Sequence, residues 1–186
     1  MLKSLPNLLT LARFLAVPIT VGLMNDGRYD GAFWLFMAAG VTDALDGLLA
    51  RLLKARTVIG SYLDPLADKA LLVAVYVMLG YHDHLPDWLV ITVVSRDLLI
   101  VGGALVIHLA TGRLRMEPLM VSKVNTVAQI VLAALVLADL GHNARLDGVV
   151  LINGACALVT LTTLASGLAY VVIWGRRVAG NGEAGR

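Results

Sequence analysis

The sequence predicts an all-α integral membrane protein, a six-transmembrane-helix bundle forming a single domain over residues 1–186. Three observations carry that expectation. The chain is 59% apolar and only 15% charged, against about 45–50% and about 25% in soluble domains, and its mean hydropathy is +0.82. Division at clusters of Gly, Pro, Asp and Arg leaves windows near 5–24, 31–53, 57–81, 86–110, 119–140 and 148–174, each close to the ~20 residues that a helix needs to cross the hydrocarbon. The basic residues flanking those windows gather on one side, at Lys3, at Arg51, Lys54 and Arg56, at Arg113 and Arg115, and at Arg176, Arg177 and Arg186. By the positive-inside rule that side, with both termini, faces the cytoplasm.

Taken in order, the first window is interrupted by Arg13 and has no small-residue cleavage site after Leu23, so it reads as a retained helix and not a signal peptide. The second and third windows are the least apolar and hold Asp43, Asp46, Asp64 and Asp68. The loops opposite the basic side, Asn25 to Asp30, Tyr81 to Asp87 and Asp139 to Asp147, carry only Arg28 and Arg145 as cations. Tyr29, Trp34, Tyr81, Trp88, Tyr170 and Trp174 flank the spans, as interfacial anchors do. The segment after Arg177 reads as a short frayed end. A lone cysteine, Cys156, excludes a disulfide framework, and a net charge of +2 gives no reason to expect nucleic acid.

Inside the windows lie Arg13, Lys69, Arg96 and Lys123, together with Asp43, Asp46, Asp64, Asp68 and Asp97. A charge at the bilayer centre costs roughly 2.5–3.5 kcal/mol on insertion scales, so these groups should share a polar cavity. Asp43 and Asp46 are spaced i,i+3, and Asp64 and Asp68 i,i+4, so each pair occupies one face of its helix. The basic turn between them predicts an antiparallel hairpin that brings both faces together. Four carboxylates in one low-dielectric pocket would partly protonate unless cations neutralised them. An all-oxygen set without His or Cys suits Mg²⁺ or Mn²⁺, and two such ions about 3.5–4 Å apart can clamp an in-line phosphoryl displacement. Gly47, Ala50 and Gly60 leave room for a phosphate near the backbone, and Arg51 can pair with it bidentately. The plain alternatives are helix packing for the small residues and a salt-bridged network or proton path for the acids.

These residues read Asp43, two residues, Asp46-Gly47, two residues, Ala50-Arg51, eight residues, Gly60, three residues, Asp64, three residues, Asp68. The pattern resembles the signature of the CDP-alcohol phosphotransferase family at every specified position. The resemblance implies a membrane bundle of that type, usually a homodimer, with its cavity open to the cytoplasm, acting on CDP-diacylglycerol and releasing CMP. It implies that Asp43, Asp46, Asp64 and Asp68 are metal ligands, that Asp68 is also the general base, and that Gly47, Ala50, Arg51, Thr57 and Gly60 line the nucleotide site. Thr57 serves equally well as a helix N-cap.

The amino-terminal Pro6-Asn7-Leu8-Leu9-Thr10 with Arg13 is similar to the opening of phosphatidylglycerophosphate synthases and cardiolipin synthases. Both use an acceptor that carries phosphate, which Arg96 and Lys123 could bind; their alternative is pairing with Asp97 or the motif acids. Ser95-Arg96-Asp97 and Ser122-Lys123-Val124-Asn125-Thr126 with Gln129 are similar to mitochondrial-type cardiolipin synthases. Glycerophosphate enzymes more often carry Arg-Glu and Gly-Lys-x-Lys-Thr there. The expectation is therefore phosphatidylglycerol as acceptor, with glycerol-3-phosphate second, in a bacterial inner membrane. A transporter or proton channel is the rival class, although it would show repeats or broken midplane helices. His82, His84, His108 and His142 share no ligand spacing and receive no catalytic role.

Overall fold

A computed structural model describes the backbone of residues 5–53, 58–111, 120–142 and 148–183, and the side chains of residues 11–43, 69–103, 120–141 and 150–173. The described residues form six helices and no strand: α1 (Leu5–Asn25), α2 (Tyr29–Leu53), α3 (Val58–Tyr81), α4 (Asp87–Thr111), α5 (Met120–His142) and α6 (Gly148–Glu183). The shortest has 21 residues, which at about 1.5 Å per residue is long enough to cross the roughly 30 Å hydrocarbon layer. The expected windows match these helices to within a few residues at every boundary but one. The last helix does not fray after Arg177 but continues to Glu183, since no proline follows the span to stop it and Arg176 to Ala179 are tolerated in a helix.

The bundle is apolar outside and partly polar inside, the arrangement a bilayer selects. Leu11, Leu15, Ile19, Trp34, Ile91, Leu98, Leu161 and Leu168 point outward, while Arg13, Thr20, Arg96, Asp97, Asn125, Gln129, Thr163 and Ser166 are buried. In water such outward surface would be an aggregation liability, whereas in lipid it is solvated. Two helices, over Met120–Gly141 and Val150–Ile173, are apolar enough by themselves to qualify as spans among the described residues. Helix α1 packs against both α2 and α3, α2 also against α5, and α6 against α4 and α5. A core of Met24, Phe36, Leu72, Val75, Tyr76, Leu79, Leu89, Leu132, Leu137 and Val159 closes the half of the bundle near the 26–28 and 82–86 loops.

Those two loops end their helices in the same way. At α1, Gly27 adopts φ +71°, the Gly27 N–H donates to the Met24 carbonyl (3.0 Å) and the Arg28 N–H to the Leu23 carbonyl (2.8 Å). This is the Schellman arrangement, in which a left-handed residue lets the last carbonyls find donors. At α3, Asp83 takes the left-handed position at φ 60°, with the Asp83 N–H donating to Gly80 (2.9 Å) and the His84 N–H to Leu79 (2.8 Å). The loop is tied to α2 by a hydrogen bond of 2.9 Å between the Tyr29 hydroxyl and His84 Nε2. Gly141 of α5 lies against the start of α2 so closely that a Cβ would stand 2.7 Å from the backbone of Asp30.

Three outcomes follow from these joints. Replacing Asp83→Gly removes a left-handed Cβ and should raise stability by up to about 1 kcal/mol, whereas Gly141→Ala should lower it by about 1–3 kcal/mol through backbone overlap. Thermal unfolding in detergent reads both. Burial and the neighbouring His82 hold the His84 imidazole below the ordinary histidine range, with Asp83 opposing. The folded protein therefore takes up this proton less readily than the unfolded chain. Its stability contribution is whole above about pH 6.5 and is lost as pH falls below that value. His84→Gln should flatten the fall in the unfolding midpoint between about pH 7 and about pH 5.

Candidate functional site

Polar side chains from four helices meet at a cavity of about 320 Å³. Arg13 of α1, Asp43 of α2, Lys69 of α3 and Thr126 of α5 line it, and Phe36, Leu71, Leu72 and Ile130 supply apolar wall. Each polar residue is carried by an otherwise apolar helix, so the cost of holding charge in hydrocarbon turns those faces inward. Asp43 and Lys69 bracket the carboxylate signature in sequence, Asp43 being its first residue and Lys69 the residue after its last. Their convergence on one cavity brings the two edges of the signature together in space.

Across that cavity Arg13 Nη1 stands 3.1 Å from Asp43 Oδ1. The arginine side chain is 4% exposed and the aspartate side chain 43%, so the cation is sealed between helices while the carboxylate stays open. An ionised carboxylate has two oxygens and about four lone-pair sites. Asp43 can therefore accept a further cation or donor from the cavity without giving up its arginine.

A second cluster begins at Lys69 and runs inward. Lys69 Nζ lies 2.8 Å from Asp97 Oδ2, and Arg96 Nη1 lies 2.6 Å from Asp97 Oδ1. Arg96 Nη2 donates to Ser122 Oγ at 2.7 Å and also to Ser166 Oγ. One carboxylate thus joins α3 to α4, and one guanidinium joins α4 to α5 and α6. Next to it, Asn125 Oδ1 accepts hydrogen bonds from the hydroxyls of Thr162 and Thr163, each at 2.8 Å. The Tyr76 hydroxyl donates to the Gln129 carbonyl at 3.1 Å. Asn125 and Gln129 are fully buried, yet Asn125 Nδ2 and both polar side-chain atoms of Gln129 have no partner among the described residues. These groups make a polar seam along the inner face of α5.

Of the residues singled out by sequence, Asp43 is at the cavity wall and Arg96 in the seam. Asp46, Gly47, Ala50 and Arg51 fall on α2, and Gly60, Asp64 and Asp68 on α3; their side chains lie outside the described residues, as does Thr57 altogether. Among the described residues no three His, Cys, Asp or Glu side chains gather as a metal site. Lys123 is exposed on α5, and the contacts of Arg96 do not include it. The pairing of Arg96 with Asp97, an alternative at the level of sequence, is present. Sequence spacing does not reveal the attachment of Lys69 to the same carboxylate or the part played by Ser166. Lys69 and Asp97 are charges within apolar spans, which is a signal; Ser166 is one small polar residue among many, which is not.

Comparison with known proteins gives the family. The family described as CDP-alcohol phosphatidyltransferase matches residues 3–175. The chain is 37% identical over 186 aligned residues to the chloroplastic CDP-diacylglycerol–glycerol-3-phosphate 3-phosphatidyltransferase 1 of Oryza sativa subsp. japonica, with 90% of this chain and 56% of that protein covered. It is 33% identical over 183 residues to the cardiolipin synthase (CMP-forming) of Homo sapiens, covering 90% and 60%. It is 38% identical over 154 residues to the CDP-diacylglycerol–glycerol-3-phosphate 3-phosphatidyltransferase of Bacillus subtilis (strain 168), covering 74% and 78%. The chain thus spans 56% and 60% of the length of the first two relatives.

The seam makes one firm demand on stability. Asp97→Asn leaves the buried Arg96 and the partly buried Lys69 without their shared counter-ion and should cost about 3–5 kcal/mol, read as a lowered unfolding midpoint in detergent.

Proposed function

The chain belongs to the CDP-alcohol phosphatidyltransferase family, and from that membership we propose that it transfers a phosphatidyl group from CDP-diacylglycerol to the hydroxyl of an acceptor alcohol, with CMP as the second product. The observation that carries this reading is the cavity wall shared by Asp43 and Lys69, which flank a complete Asp43, Asp46, Gly47, Ala50, Arg51, Gly60, Asp64, Asp68 signature.

In this reading Asp43, Asp46, Asp64 and Asp68 would hold two divalent cations, Mg²⁺ or Mn²⁺. An all-carboxylate donor set suits these hard ions, and the half-exposed Asp43 keeps lone pairs for one. When bound, such ions offset the charge of the pyrophosphate and of the departing CMP. The chain's own groups do the rest. Gly47, Ala50, Thr57 and Gly60 border the nucleotide, and Arg51 pairs with a phosphate oxygen. Asp68 takes the proton of the acceptor hydroxyl. The freed oxygen bonds to the phosphorus that carries diacylglycerol, and the bond from that phosphorus to the CMP oxygen breaks. Arg13 holds Asp43 at the cavity wall, and the apolar wall keeps bulk water from competing with the alcohol.

Phosphatidylglycerol is the acceptor we favour, giving cardiolipin. Asp97, Ser122 and Asn125, the positions at which the sequence departs from glycerophosphate enzymes, are all engaged in the seam beside the cavity. Glycerol-3-phosphate is the second reading, supported by the 38% identity to the Bacillus subtilis relative. The protein would work as a homodimer in a bacterial inner membrane, with the cavity open to the cytoplasm.

The test is an acceptor panel with purified protein, Mg²⁺ or Mn²⁺ and CDP-diacylglycerol. Phosphatidylglycerol should drive CMP release and yield cardiolipin, while no acceptor should yield neither. Asp68→Asn should lower kcat by about 10²–10⁴ and retain nucleotide binding. CMP released equally without acceptor would mean a hydrolase instead, and undiminished turnover in that variant would remove Asp68 as the base.

A further inference from the structure

The polar seam ends on Gln129, a side chain that the described residues leave unsatisfied. Helices α5 and α6 run antiparallel, and their polar residues meet rung by rung. Ser122 and Ser166 share the Arg96 guanidinium, and Asn125 Oδ1 accepts from the Thr163 hydroxyl at 2.8 Å. One helical step further along each chain the same register sets Gln129 against Val159, a buried residue with no polar side-chain atom. Gln129 is fully buried, and neither its Oε1 nor its Nε2 has a partner among the described residues. Asn125 is fully buried as well, with its Nδ2 in the same condition.

The helices packed on α5 are α2, α3 and α6, and all three are described at this depth. On α3 stands Tyr76, whose hydroxyl donates to the Gln129 carbonyl at 3.1 Å. On α2 the close approach of Gly141 to Asp30 fixes the register. Equal steps along the two antiparallel helices from that contact bring Gln129 level with Thr42, whose hydroxyl bonds to the carbonyls of Ala38 and Ala39, each at 2.9 Å. Asp46 lies further along α2 toward its basic end, and Asp64 and Asp68 lie roughly two turns or more before Tyr76 on α3.

A primary amide presents two N–H donors and an oxygen with two lone pairs. Asn125 and Gln129 are neighbours at i,i+4 spacing, yet no direct bond joins Asn125 Nδ2 to Gln129 Oε1. A guest that answers both must donate and accept within a small volume. An anion would leave Gln129 Oε1 unpaired, and a metal cation would leave both amide nitrogens unpaired. Water accepts from Asn125 Nδ2 while donating to Gln129 Oε1, and polar contacts of this kind are what retain a buried water.

We propose that Gln129 and Asn125 form an internal water site where α5 meets α6. The site closes the seam at the depth where polar pairing gives way to the apolar core of Leu132, Leu137 and Val159. It does not rest on the transferase reading.

Gln129 is the one glutamine in the chain, so glutamine labelled with ¹⁵N at its side-chain amide gives a single NH₂ group in the full-length protein in detergent micelles. Dipolar transfer from water to the Nε2 protons is expected, with the sign that separates it from proton exchange. Its absence would overturn the proposal. Gln129→Met keeps the side-chain length and removes both amide groups. A glutamine satisfied by water loses by that change, and the unfolding midpoint should fall by about 2–6 °C. A glutamine buried with no partner at all would gain from it, so an unchanged or raised midpoint would also overturn the proposal.

Discussion

Charge inside a hydrocarbon layer must be compensated by the protein itself, and the arrangement of this bundle answers to that constraint. Arg13 reaches from α1 to Asp43 on α2. Asp97 on α4 takes Lys69 from α3, and Arg96 extends the link to Ser122 on α5 and Ser166 on α6. Every helix contributes at least one member to these two clusters. In a soluble domain the inward faces would be chosen by apolarity, but here the outside is apolar as well. Polar pairing therefore decides much of which face turns in, and packing of residues such as Tyr76, Leu79 and Leu132 fills the remainder.

The same constraint makes the interior chemically useful. A buried ion pair is weak evidence for stability, because desolvation offsets its Coulomb gain; a structure that carries several of them has another use for charge. Asp43 leaves its carboxylate open to the cavity while Arg13 is sealed, and Lys69 links the cavity to the seam. The cavity thus holds an open carboxylate, Asp43, and an ammonium, Lys69, among mostly apolar lining. Family membership gives that combination its chemical sense, since a phosphatidyl donor is at once anionic and greasy.

Much of this is legible in the sequence. Six windows of membrane-spanning length predict six helices because the hydrophobic requirement is coarse and depends on length alone. The signature from Asp43 to Asp68 is legible because carboxylates at helical spacing in an apolar segment are too costly to keep there without a shared polar site. Partner choice in three dimensions is not legible. Arg96 and Lys123 are both cations inside spans, and only the rotation of α5 separates a partly buried contact at Ser122 from an exposed Lys123 one residue later. Lys69 follows the last residue of the signature, Asp68, in sequence, yet its ammonium turns to Asp97 on another helix. The end of α6 lies beyond the last window for a related reason: a span length sets where the bilayer ends, not where the helix does.

If the bundle is a phosphatidyltransferase, the acids of α2 and α3 must converge on the cavity that Asp43 and Lys69 already share. Anomalous diffraction from crystals grown with Mn²⁺ and CDP-diacylglycerol tests this most directly. Manganese peaks are expected within coordination distance of Asp43, Asp46, Asp64 and Asp68, with the donor's pyrophosphate in that cavity. Carboxylates of α2 and α3 facing away from one another, or a nucleotide seated elsewhere in the bundle, would contradict it.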